Sequence, residues 1–149
     1  MSTGGNIYEI DIVEKSVDVD LASDNTLNDD ADLKIAIKAN EEFIFEIYAH
    51  YIAGAGGIRA AMSGPAGYIH LHYSANLDVA GATKVSSNLA TAWDVVVTDG
   101  AGEGQVRIIG SVSNGATPGD LVFRWAQNTS NIANTTIHQD SWARFTRIS

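Results

Sequence analysis

Residues 42–52 alternate strictly. Phe43, Phe45, Ile47, Ala49 and Tyr51 fall on one parity, and Glu42, Ile44, Glu46, Tyr48 and His50 on the other. A period of two is what a pleated strand presents to its two faces, whereas a helix would scatter these positions around its circumference. The same alternation recurs elsewhere. Near the start, Tyr8, Ile10 and Ile12 interleave with Ile7, Glu9 and Asp11; further on, Leu33, Ile35 and Ile37 interleave with Lys34, Ala36 and Lys38, and Leu121, Phe123 and Trp125 share one parity. Helical periodicity is nearly absent, so the chain is constrained to an all-β fold.

Turn signals divide these runs. Ala53-Gly54-Ala55-Gly56-Gly57, Ser63-Gly64-Pro65-Ala66-Gly67, Asp99-Gly100-Ala101-Gly102, Asn114-Gly115 and Pro118-Gly119 each punctuate the pattern with residues that tolerate turn conformations. Residues 74–89 are small and polar with no clear period, which predicts a long loop or insertion. Nine or ten strands predict an antiparallel β-sandwich of jelly-roll type. A length of 149 residues suits one domain. The expected organisation is a short N-terminal arm, residues 1–12, followed by a single sandwich domain, residues 13–149. Removing the arm should then leave a folded domain.

Two aromatic and β-branched strands flank a polar connection near the end of the chain: Leu121-Val122-Phe123-Arg124-Trp125-Ala126-Gln127-Asn128-Thr129-Ser130, then Asn134-Thr135-Thr136, then Ser141-Trp142-Ala143-Arg144-Phe145-Thr146-Arg147-Ile148. With Asn25-Thr26-Leu27-Asn28-Asp29-Asp30-Ala31-Asp32-Leu33, Ala39-Asn40-Glu41-Glu42-Phe43-Ile44-Phe45-Glu46, Ser63-Gly64-Pro65-Ala66-Gly67 and residues 110–119, this pattern resembles a family of small β-rich structural proteins and domains of tailed bacteriophages. The resemblance runs from about residue 13 onward. It implies a virion structural protein and no reaction.

Charge narrows the partners. With 18 acidic against 9 basic residues, a formal charge of −9 repels phosphate backbones and anionic lipid, so nucleic acid and membrane are not expected partners. No stretch reaches the roughly 18 uninterrupted apolar residues of a membrane span, and Met1-Ser2-Thr3-Gly4-Gly5-Asn6 lacks the basic start of a secretory signal, so synthesis in a host cytoplasm is expected. Without cysteine there is neither a disulfide framework nor a thiolate metal site.

His70 and His72 share a strand face and supply two imidazoles with no third ligand nearby in sequence, so they are read as solvent-facing. Asp24-Asn25-Thr26-Leu27-Asn28-Asp29-Asp30-Ala31-Asp32 spaces oxygens as a calcium loop does but lacks the glycine at its sixth position, and Ile35 stands where the twelfth-position glutamate belongs. An Asx-rich turn is the expectation there. Gly-x-Ser-x-Gly is missing, and Gly102-x-Gly104 precedes a strand instead of a helix. Glu42, Glu46, Asp94 and Asp99 are carboxylates of an ordinary acidic sandwich. No catalytic residue, metal ligand or cofactor is assigned, and the chain is read as a non-enzyme.

The expected function is capsid decoration: binding the outer shell of a virion and stabilising it, with the major capsid protein or another virion protein as partner and the virion surface as location. A homotrimer is expected. Ile7, Tyr8, Ile10 and Ile12 are the candidate contacts of the arm, able to add a strand to a neighbour's sheet edge, and Ile44 and Tyr48 are apolar positions among charges on an outward face. The alternative is a tail- or head-fibre component contacting host glycans, or, less in keeping with the resemblance, a carbohydrate-binding module unrelated to virions. In those cases Trp93 and Trp142, beside turns, would be the exposed stacking rings, while Trp125 is expected in the core.

Overall fold

A computed structural model of the chain describes residues 8–79, 82–89, 96–98 and 100–149, with side chains described for residues 8–76 and 100–149. Ile7 and Trp93 lie outside the described residues. Among the described residues there are twelve strands and no helix: β1 (Glu9–Glu14), β2 (Val19–Leu21), β3 (Asn28–Ile37), β4 (Glu42–Ala53), β5 (Ile58–Ser63), β6 (His70–Val79), β7 (Ala82–Leu89), β8 (Val96–Thr98), β9 (Gly102–Ser113), β10 (Gly119–Ala126), β11 (Thr135–Ile137) and β12 (Trp142–Arg147). Every pairing is antiparallel. The larger sheet runs β1-β12-β4-β9-β6-β7, with β11 and β2 alongside the far end of β4; the smaller runs β3-β10-β5-β8. The all-β, antiparallel sandwich read from the alternation is therefore the fold.

The core lies between the two sheets. β4 contributes Phe43, Phe45, Ile47, Ala49 and Tyr51, all buried, and β12 and β9 continue that layer with Ala143, Phe145, Val106, Ile108 and Val112. From the smaller sheet come Leu33, Ile37, Leu121, Phe123, Trp125, Ile58 and Met62. Trp125 is 2 % exposed, as its parity with Leu121 and Phe123 requires. The backbone N–H of Met62 donates to the Tyr73 hydroxyl at 3.3 Å, joining the two sheets.

Two expectations need correction. The boundary placed after residue 12 falls inside β1, which pairs residue for residue with β12 from Glu9↔Arg147 to Glu14↔Trp142. Residues 9–12 are thus part of the chain's own sheet, because β12 offers an open edge whose other side is taken by β4. Deleting residues 1–12 removes most of a strand, and the truncated domain is expected to lose stability. The second correction concerns residues 74–79 and 82–89, which are strand. β6 pairs with β9 along its whole length, and β7 folds back on β6. Its inward positions are Leu71, Tyr73 and Ala75, the last of them small. Ser74 and Asn76 face outward, so apolar contrast fades, and the β9 ladder dictates a conformation that local propensity does not.

The sheet carries one interruption that positions most of its polar chemistry. β12 covers residues 43–48 of β4 while β11 covers Tyr51 and Ile52, and outside them β1 and β2 repeat the same break. At this break the His138 N–H donates to the His50 carbonyl at 2.9 Å, the His50 N–H to Ser141 Oγ at 2.9 Å, and the Lys15 N–H to the Ser141 carbonyl at 2.8 Å. Lys15 turns into the interior there and is 3 % exposed.

Candidate functional site

Residues directly opposite one another in a ladder share a face, so the registers map the outer surface of the larger sheet row by row. One row reads Glu14, Trp142, Tyr48, Arg107, Asn76 across β1, β12, β4, β9 and β6. The next reads Ile12, Arg144, Glu46, Ile109, Ser74, and the third Ile10, Thr146, Ile44, Ser111, His72. Folding thus brings Ile10, Ile12, Ile44 and Tyr48, read from two distant segments, onto one face. Tyr8 precedes β1, has the parity of Ile10 and Ile12, and is exposed.

Exposure separates these residues. Ile10, Ile12 and Ile44 are 57 %, 64 % and 46 % exposed, so three β-branched side chains stand uncovered by the described residues. Tyr48 is different. Its ring stacks on Trp142 with centroids 4.4 Å apart, and Arg107 Cζ lies 5.3 Å from its centre, so it is half-buried. Tyr48 therefore works as the base of an aromatic and cationic rank, with less free surface than the alternation alone implied. Trp142 is likewise half-buried and not an open stacking platform on both sides.

A groove of about 560 Å³ runs through this face, lined by Ile44, Glu46, His72, Ile109, Ser111 and Arg144 among others. Arg144 Nη2 donates to Glu46 Oε2 at 2.6 Å, closing one wall with an exposed ion pair. The backbone at Gly110 passes close to β6: a Cβ there would sit 2.3 Å from the His72 carbonyl oxygen and 2.7 Å from Phe45 Cζ, so no larger residue fits without moving a strand. Ile109, His72 and Arg144 were not singled out from sequence as contacts. The signal was present in the alternation of Arg107, Ile109 and Ser111 against Val106, Ile108 and Gly110, but it can be read as a face only once β9 is known to sit beside β4.

The histidines pair in two places. His70 and His72 have ring centroids 5.1 Å apart, and among the described residues no group of three His, Asp or Glu side chains is placed to hold a metal ion. His50 and His138, which sequence spacing did not connect, come to 4.7 Å at the break in the sheet. His50 Nε2 lies 2.8 Å from Glu103 Oε1 and its Nδ1 3.1 Å from Asp140 Oδ2, while His138 Nδ1 lies 3.4 Å from Asp18 Oδ1. Burial pulls the His50 imidazolium toward a lower pKa; the hydrogen bonds and charges of Glu103 and Asp140 outweigh it, and the net direction is upward. With a carboxylate at each ring nitrogen, His50 bridges β9 to the turn before β12.

The acidic run of residues 24–32 resolves into two devices. Asp24 Oδ1 accepts the Thr26 N–H at 2.8 Å and Oδ2 accepts Asn28 Nδ2 at 3.0 Å, the Asx turn expected there. The backbone N–H of Thr26 is the main influence holding the Asp24 carboxyl below its ordinary value. Asp30 does something else. It is buried, and it receives Lys15, Trp125 and two backbone amides. Compared with known proteins, the chain matches no protein-family model and no curated protein.

Proposed function

We propose that this chain is a non-enzymatic structural protein of a tailed-phage virion, a decoration protein that binds the outer capsid shell through the exposed face of its larger sheet. The observation carrying the reading is the convergence of Ile10, Ile12 and Ile44 on one face, exposed and interleaved with Glu46, Arg107 and Arg144. Burying such ranks is worth about 25 cal/mol per Å² of apolar surface, and folding leaves them unburied. The strand order supports a jelly-roll assignment: β1, β12, β4, β9 in one sheet and β3, β10, β5, β8 in the other is the order that two interlocked Greek keys generate, with β6 and β7 as an added hairpin. That architecture recurs in viral capsid proteins and in lectins, so it favours the virion without specifying it.

The mechanism needs no reaction. A protein that binds only the assembled shell stabilises that state by RT ln(1 + [L]/Kd) at each site, and many sites multiply the effect. The partner is the major capsid protein or another virion protein, and the unit is a homotrimer. β1, at the margin of the larger sheet, is the edge to which a neighbour's strand would add. Imaging particles produced with and without the chain tests the reading: regular extra density on the head surface is expected, and confinement to a tail or fibre would overturn it. A second reading, a host-glycan contact, is favoured by the Tyr48–Trp142 stack beside the groove. Host polysaccharide that shields Trp142 fluorescence from a quencher would select it over the capsid.

A further inference from the structure

Among the ionisable groups of the described residues, Lys15 and Asp30 stand apart. Both side chains are 1 % exposed, and Nζ lies 2.7 Å from Oδ2. Lys15 arrives through the break after β1. Asp30 arrives through an irregularity in β3, where the register with β10 jumps from Val122↔Lys34 to Arg124↔Asp29. That jump leaves the N–H groups of Asp32 and Leu33 off the ladder, and both donate to Asp30 Oδ1 at 3.0 Å. Trp125 Nε1 donates to Oδ2 at 3.2 Å. A second carboxylate waits at the rim: Asp32 Oδ2, 3.9 Å from Lys15 Nζ, accepts from Ser16 N and Oγ.

We propose that Lys15 and Asp30 condense to an intramolecular isopeptide bond, tying the end of β1 in the larger sheet to β3 in the smaller. The Nζ lone pair attacks Asp30 Cγ, the carbon–nitrogen bond forms, and the Cγ–Oδ2 bond breaks with its electron pair leaving on oxygen. Starting from ammonium and carboxylate, Nζ gives up two protons and both end on Oδ2, which departs as water. One crosses the 2.7 Å hydrogen bond directly. The other is assigned to Asp32, whose Oδ2 stands 3.9 Å from Nζ and must close on it for the transfer. Charge and atoms balance with no oxidant, reductant or further reactant. The two amides on Oδ1 form the donor pair that an oxyanion needs in the tetrahedral intermediate, and the Trp125 N–H assists the departing oxygen. Fixed proximity replaces the entropy of a bimolecular encounter, and the surrounding core excludes the water that would reverse the step. The inference is independent of the assembly reading, since it rests on the interior alone.

Intact-mass measurement of the purified full chain decides it. The wild type is expected to be lighter than its sequence mass by one water, and digestion should yield a branched peptide joining the segments that hold Lys15 and Asp30. Lys15→Met should restore the full sequence mass. Asp32→Asn should lose the water on the order of a hundredfold more slowly, the scale of a missing proton relay. A wild type that keeps its full sequence mass after prolonged incubation in the folded state would overturn the proposal and leave a standing ion pair. So would a water loss that persists in Lys15→Met, because it would place the dehydration elsewhere.

Discussion

Ile44 and Phe45 are neighbours in β4, yet one is 46 % exposed and the other 2 %. The inner face of the strand is explained by folding: Phe43, Phe45, Ile47, Ala49 and Tyr51 meet the smaller sheet and leave water. The outer face is not. Ile44 in β4 and Ile10 and Ile12 in β1 add nothing to the core, while Glu46–Arg144 and the Trp142–Tyr48–Arg107 rank hold that face in a fixed arrangement. Two faces of one strand built from similar residue types therefore answer to different demands. The inner is bound by stability, and the outer is free of that demand.

The largest effects should appear on the inner side. Phe45→Ala and Trp125→Ala are each expected to cost about 3–5 kcal/mol, measured by chemical unfolding, because each leaves a cavity that a close-packed sandwich cannot collapse. Asp30→Ala should cost a similar ~3–5 kcal/mol by stranding Lys15 in the interior. If Asp30→Ala unfolded no more easily than the wild type, the inner polar group would be as dispensable as an outer one and the contrast between the faces would fail.

Smaller effects belong to the outer rim. The net upward shift at His50 means that its stabilisation is fully present below the ordinary histidine value of about 6.5 and is lost as pH rises through the higher folded value. The imidazole is about a third exposed, so solvent screening limits the effect to at most about 1 kcal/mol. Thermal unfolding followed from pH 6 upward should show that decline, and His50→Gln should flatten it. A decline unchanged in His50→Gln would assign it to another group.

Least of all should change in the free protein when the exposed isoleucines are altered. Ile44→Ser is expected within about 0.5 kcal/mol of the wild type by the same unfolding measurement. A loss on the inner-face scale would mean that the outer face belongs to the core after all.

The parts of this design legible in the sequence are those where apolar and polar residues alternate in full contrast. β4 and β10 could be read with their faces, and Trp125 with its burial. β6 could not, because Ala75, Ser74 and Asn76 carry too little contrast and the strand exists by pairing with β9. β1 was read as a strand but placed on a neighbour, since alternation states which face is apolar and not which edge it joins. The Lys15–Asp30 and His50–Glu103–Asp140 clusters were illegible for a related reason. Each depends on a break in the sheet that lets segments distant in sequence meet, and a break has no period. Asp24 announced its turn through local Asx chemistry, whereas Asp30, in the same acidic run, took its role from Trp125 across the sheet.

Occupancy on purified virions tests the central claim most directly. Wild-type chain and the double variant Ile12→Asp/Ile44→Asp, each first shown to unfold at the same denaturant concentration, would be added to particles lacking the protein and separated by sedimentation. The wild type is expected to travel with the particles and the variant to stay behind, since two charges on the exposed face remove the apolar contact while the inner face is untouched. Equal binding by both would contradict the claim that this face of the larger sheet is the surface of assembly.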